Sequence, residues 1–129
     1  MHLIAKEHKV IKVNLRPIPK LNNNNDFKLD FSPKFYNDSK NKFSVFFDVS
    51  LKRENEYSLD IIYETVFETS DKINDEFKNS PFPYLNAPAI GFPFLRSFVS
   101  FMILNAGYSP LILPSINFVN YNKEKKSAK

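Results

Sequence analysis

No cysteine occurs in this sequence, and only two glycines and two histidines do. Without cysteine there is no disulfide, no thiolate metal site and no cysteine nucleophile, which fits a reducing compartment. Two isolated glycines, Gly91 and Gly107, cannot build a phosphate-cradling loop of P-loop or Rossmann type. His2 and His8 both fall in the first ten residues with no ligand cluster around them, so they read as exposed side chains rather than a metal pair. The serines are scattered, and none sits in a G-x-S-x-G setting. Asp60, Glu64 and Glu68 recur every four residues within a strand pattern. Paired acid/base carboxylates are one reading of them; a solvated sheet face is the simpler one. The sequence therefore frames no active site, and a non-enzymatic protein without metal or cofactor is expected.

What is present is apolar and aromatic: 43% hydrophobic residues and 16% aromatic ones in 129 residues. That composition is globular, and the length suits one domain over residues 1–129. The net charge of +4 divides unevenly. Met1 to Lys20 carries five basic residues and one acidic, Asn120 to Lys129 four and one, and the body between them nine and twelve. No basic face is expected in the folded part, and the terminal KEKKSAK reads as a solvated, frayed end over residues 120–129. Basic ends beside many aromatics still leave a nucleic-acid-binding module as an alternative, although no nucleic acid is the expected partner. The start, MHLIAKEHKV, breaks into charge too early to read as a signal peptide.

Four segments alternate with period two. HKVIKVNLR sets Ile11, Val13 and Leu15 against Lys12, Asn14 and Arg16, and Pro17 and Pro19 end it. The asparagine-rich Asn22 to Asp26 is a loop by composition. FKLDF, FSVFFDVSLKR and YSLDIIYETVFET follow, with the polar turn Arg53 to Glu56 between the last two. The expected fold class is α+β: a four-stranded antiparallel sheet, greasy on one face, with one long C-terminal helix packed there. SDKINDEFKNS could add a short helical turn capped by Ser70 or Asp71.

The long helix comes from the most apolar stretch. From Asn86 to Phe118 there are 33 residues and a single charge, Arg96. Asn86 can cap, Pro88 suits a first turn, and Gly107 suits the left-handed position that ends a helix, so the body runs from Pro88 to Asn105. Pro93 is expected to bend it near its start. A membrane span over Ala89 to Gly107 is the weaker reading. Arg96 at its centre would cost about 2.5–3.5 kcal/mol, and Pro93 interrupts the run, so no stable insertion is expected.

At 100° per residue, Phe101, Phe94, Phe98, Met102, Leu95, Val99, Phe92 and Ile103 fill an apolar arc of roughly 200°, about twice what one contact needs. One sheet covers only one side of such a helix. A second copy of the chain is the simplest cover for the rest. The expected oligomer interface is Phe94, Leu95, Phe98, Phe101 and Met102, with Leu59 and Ile61 from the fourth strand pattern. Surplus apolar surface without catalytic groups points to a binder of other apolar chains.

The same stretch, NAPAIGFPFLRSFVSFMILNAGYSPLILPSINF, resembles the helix and following loop of the SecB family of protein-export chaperones. Phe92, Pro93, Phe94, Leu95 and Arg96 match the F-P-aromatic-x-R run. Gly107, Tyr108, Pro110, Leu111, Leu113, Pro114, Asn117 and Phe118 match the loop, and FKLDF matches a strand. The likeness spans roughly Lys9 to Phe118. It implies a sheet backed by a long helix, in dimers that pair into homotetramers with helices between sheets. It implies an ATP-independent holdase of the bacterial cytoplasm that keeps unfolded preproteins export-competent in apolar grooves. A related role is a chaperone dedicated to an antitoxin or a few clients. Leu29 and Phe31 match the client-contacting strand, and the segment with Leu111, Leu113 and Phe118 is the looser candidate for a groove wall.

Three features depart from the family pattern. NFVNYNKEKKSAK is short and basic where the family has a second helix and an acidic, glycine-rich tail, so that helix is expected to be shortened or missing. A pI near 9.2 contrasts with the acidic members that dock on the motor SecA. The link DKINDEFKNSPFPY before the helix is also rewritten.

Overall fold

The computed structural model describes residues 1–18 and 25–127, with side chains to Lys125. Most of the expected asparagine-rich loop lies outside those residues. Four strands form one antiparallel sheet: β1 (Leu3–Pro17), β2 (Asp26–Phe35), β3 (Lys42–Arg53) and β4 (Tyr57–Thr69). Their spatial order is β1-β4-β3-β2, so β2 to β4 make a meander and β1 crosses the sheet to pair with β4. The two greasiest strands therefore sit in the middle, and Pro33 lies on edge strand β2, where its missing N–H breaks no ladder.

Alternation carries through to burial. Phe43, Val45, Phe47, Val49 and Leu51 of β3 and Tyr57, Leu59, Ile61, Tyr63 and Phe67 of β4 are all buried on the same face. On the other face, Ser44 Oγ donates to Glu64 at 2.6 Å, Tyr36 OH donates to Glu64 at 3.2 Å, and Ser50 Oγ donates to Asp60 at 2.9 Å. Two of the three regularly spaced carboxylates are thus engaged with hydroxyls on a polar sheet face.

β1 departs from its sequence pattern. Register shifts fall between Ala5 and Glu7 and between Val10 and Lys12, so Ile11 has no cross-strand partner. A bulge adds one residue and reverses the alternation beyond it. Val10 lies opposite Tyr63 and Val13 opposite Ile61, so both share the helix side, whereas Ile11 falls outside the pairing that holds Val13 and Leu15 and is exposed. His8, expected to be exposed, is half-buried: its Nδ1 lies 3.0 Å from Thr65 Oγ1 and its ring stacks on Phe94 with centroids 3.8 Å apart.

After β4 comes a single helical turn, α1 (Asp75–Lys78), capped by Asn74, whose side chain accepts from the Phe77 N–H at 2.8 Å, and not by Ser70 or Asp71. A π-helical turn (Phe82–Asn86) runs directly into α2 (Ala87–Asn105). Asn86 consequently makes no side-chain cap bond, because the chain is already helical before it. At its far end α2 stops as expected: Gly107 takes φ of 96°, its N–H bonds the Leu104 carbonyl, and the Tyr108 N–H bonds that of Ile103.

By length and composition, Phe82–Asn105 could cross a membrane, but its packing shows what the apolar residues meet. Phe92, Leu95, Val99 and Ile103 are buried against the sheet. Gly91 lets the helix approach closely: a Cβ there would stand 3.0 Å from Thr65 Oγ1 and 3.1 Å from the Phe47 ring. Beyond α2, residues 109–117 form neither helix nor strand, and a further helix, α3 (Phe118–Ser127), forms where a frayed basic tail was expected. Asn117 Oδ1 accepts from the backbone N–H of Val119 and Asn120 at its start. The second helix of the family pattern is therefore short but present.

Candidate functional site

The site grows from edge strand β2. Its inward residues Phe27, Leu29 and Phe31 lie opposite Leu51, Val49 and Phe47 of β3, which makes an apolar strip at the sheet margin. Two segments from the C-terminal third close over that strip.

The first is the irregular segment after α2, and Arg96 explains its position. Arg96 Nε donates to the Leu113 carbonyl at 3.1 Å and Nη1 to Ser115 Oγ at 3.3 Å, while Ser100 Oγ donates to the Leu111 carbonyl at 2.7 Å. Arg96 and Ser100 lie on the same side of α2, four residues apart. The lone charge in the apolar stretch thus pins a segment with no ladder of its own. Pinned there, Leu111, Ile112, Leu113 and Pro114 face Phe27 and Leu51 across a concavity of about 290 Å³.

The second is α3, which lies against the other end of β2. Phe118 meets Phe31 edge-on with centroids 5.5 Å apart, and Tyr121 lies 5.4 Å from the same ring. Tyr121 OH donates to the Leu29 carbonyl at 3.0 Å and to Asp30 Oδ1 at 3.2 Å. Lys125 pairs with the same carboxylate. Those contacts move the titrations apart. The hydrogen bond from Lys125 holds Asp30 below the usual carboxylate range, that bond raises Lys125, and burial raises Tyr121. Asn122 Nδ2 also donates to the Tyr84 carbonyl, tying α3 to the π-helical turn. Between them lies the larger concavity, about 660 Å³, walled by Phe31, Tyr84, Leu85, Val119 and Tyr121. Phe27 and Phe31 are four residues apart on a strand, so the two hollows are spaced by roughly 13 Å.

Among the expected client-binding residues, Phe31 lines the large hollow and Leu111 and Leu113 the small one. Leu29 sits between them, its carbonyl held by Tyr121, and Phe118 packs on Phe31 beneath α3. Tyr84, Leu85, Val119 and Tyr121 escaped the sequence reading. Only the aromatic content of SPFPYL and NFVNY hinted at them, because their meeting depends on how α3 folds back.

The expected oligomer residues divide in two. Leu95, Leu59 and Ile61 are fully buried within this chain's own core and have no surface to offer a second copy. Phe94 and Phe101 are 48% and 67% exposed, and Phe98 and Met102 are half-buried beside them. Ile90 and Leu104 continue the exposed row.

Comparisons with known proteins agree with this architecture. A SecB-like chaperone of Mycobacterium tuberculosis, solved in complex with a ChAD peptide from the HigA1 antitoxin, superposes with a TM-score of 0.68 at 11% identity, over 88% of this chain and 87% of that one. A protein of unknown function from Streptococcus agalactiae does so with a TM-score of 0.54, also at 11% identity, over 88% of this chain and 98% of that one. At such identities the likeness is one of fold. No curated protein matches the sequence. The family model described as preprotein translocase subunit SecB matches residues 14–129, nearly the whole chain, and the chain accordingly belongs to the SecB family.

Proposed function

We propose that this protein is an ATP-independent holdase that captures unfolded chains along β2, with its two hollows taking apolar client side chains. The observation that carries the reading is the pair of apolar hollows on one strand, one walled by aromatic residues, in a SecB-family chain. An extended client would lie beside the edge of β2 and seat side chains four residues apart in the two hollows. Burying about 1,000 Å² of apolar client surface gives on the order of 25 kcal/mol gross. Ordering a flexible chain removes much of it, so useful affinity needs several grooves acting on one client. A second copy of the chain, docked on Phe94, Phe98, Phe101 and Met102, would supply them. Tetramers, a cytoplasmic setting and a role in export belong to the same reading.

A second reading rests on the peptide in the mycobacterial structure: the client is a single antitoxin or a few dedicated partners instead of preproteins at large. SecA remains a candidate partner, though a pI near 9.2 disfavours the electrostatic docking that acidic relatives use.

The experiment is a refolding assay. Substoichiometric protein should delay refolding of an unrelated denatured enzyme without ATP, and Leu29→Ser with Phe31→Ser should lessen the delay. Because Phe31 is also packed under α3, Tyr84→Ser on the exposed wall of the large hollow serves as the second variant. If wild type delays refolding and Tyr84→Ser does so equally, clients bind elsewhere. A wild type that never delays refolding but still captures one purified antitoxin selects the dedicated reading.

A further inference from the structure

The charges around the two hollows follow one pattern. At the large hollow, Lys123 and Lys125 project from α3, and Lys125 is spent on Asp30, a carboxylate that also accepts from Tyr121 OH and from the Phe31 N–H. Lys123 makes no ion pair among the described residues. At the small hollow, Arg53 is paired with Glu56 at 3.6 Å and Asp26 lies 3.9 Å from Lys28, which leaves Lys52 as the lining cation without an ion pair among the described residues. Each hollow therefore combines an apolar floor with one lysine at its rim, Lys123 or Lys52, that makes no ion pair among the described residues. The amides nearest the large hollow offer no counterweight as donors, since Asn79 Nδ2 is bonded to the Asp75 carbonyl and Asn122 Nδ2 to that of Tyr84.

Resting on the reading of β2 as the client strand, we infer that this groove selects by charge. The geometry points to an extended, acidic segment: two aromatic or large apolar anchors four residues apart, each flanked by Asp or Glu. The anchors fill the hollows spaced along β2, and the flanking carboxylates meet Lys123 on one side and Lys52 on the other. Cationic flanks are disfavoured for the same reason, because they meet unpaired ammonium groups. These pairs are exposed, so the preference is a modest bias laid over apolar capture and weakens as salt screens it.

The test uses three labelled peptides with the same two phenylalanines four residues apart and flanks of Glu, Gln or Lys, titrated by anisotropy at low and high salt. The Glu-flanked peptide should bind tightest and the Lys-flanked one weakest. Two exposed pairs correspond to roughly fivefold between Glu and Gln. The spread should shrink at high salt. Lys52→Glu with Lys123→Glu, both at the rim and outside the apolar floor, should reverse the order. Equal binding of all three peptides would leave β2 as the client strand and overturn the charge preference, as would an order unchanged in the double variant. If none binds at either salt concentration, the client-strand reading falls and takes the preference with it.

Discussion

Helix α2 carries two apolar stripes with opposite fates. Phe92, Leu95, Val99 and Ile103 face the sheet and are almost wholly buried, whereas Ile90, Phe94, Phe101 and Leu104 stand on the diametrically opposite side and remain open. The residue types are the same on both. Ordinary amphipathic helices put polar groups opposite the core; here Arg96 and Ser100 lie on a flank, where they hold residues 111–115, and the small Ser97 is set among the apolar side chains opposite the core. Two greasy faces on one helix leave room for two partners. The first is this chain's own sheet, and the second is the surface that we propose other chains supply.

Substitutions can pull the two stripes apart. The largest effect belongs to the sheet side. Leu95→Ala leaves a cavity under a side chain with no solvent exposure and should cost about 2–5 kcal/mol in denaturant unfolding. Phe101→Ala on the open side should shift the stability of the isolated chain by no more than about 0.5 kcal/mol. Comparable losses at both positions would erase the distinction. Next comes Gly91→Ala. Its added methyl would press on Thr65 and Phe47, neither of which is the free end of a flexible side chain. Overpacking of that kind costs about 1–3 kcal/mol, read as a lowered melting temperature. An unchanged melting temperature would mean that α2 rides higher above the sheet than described.

The smallest effect lies at the border between the stripes, where His8 stacks on Phe94 and touches Thr65. Burial holds the His8 imidazole below its ordinary value of 6.5. The unfolded chain therefore binds this proton more readily than the folded one. The contribution to stability is fully present above the ordinary value and is lost as pH falls from there through the lower folded value. With His8 only partly buried, the change should be a few tenths of a kcal/mol, seen as a shallower fall in melting temperature between about pH 7 and pH 5 for His8→Gln than for wild type. Identical slopes would mean that the ring titrates as it does in water.

Much of this architecture can be read from residue order. Period-two alternation in FKLDF, FSVFFDVSLKR and YSLDIIYETVFET places three strands and their buried face, because a strand with one covered side has no freedom to slip by a residue. Gly107 marks the end of α2 for an equally local reason, its positive φ. Where a tertiary partner decides the outcome, the local pattern misleads. The bulge at Ile11 is invisible in HKVIKVNLR, since skipping one residue depends on how β4 pairs with it. α3 is hidden in a polar, asparagine-rich tail; Phe118 and Tyr121 anchor it only because Phe31 lies beneath them. The groove is legible in part for the same reason. Leu29 and Phe31 follow from the strand and from the family likeness, but the opposite wall comes from Tyr84 and Val119, which no spacing joins to β2. The interface expectation erred in the other direction: a helical arc of roughly 200° cannot say which half the chain keeps for itself, and Leu95 fell on the kept side.

The role of the open stripe is tested most directly by the solution mass of the purified chain, measured by light scattering beside Phe94→Ser/Phe101→Ser. The chain weighs 15.1 kDa, and the account requires wild type at two or four times that mass, with the double variant dissociating toward one while keeping its circular dichroism. Wild type running as a stable 15.1 kDa species at all concentrations would contradict it, because the stripe would then remain bare in a protein that shows no need of a second copy to cover it.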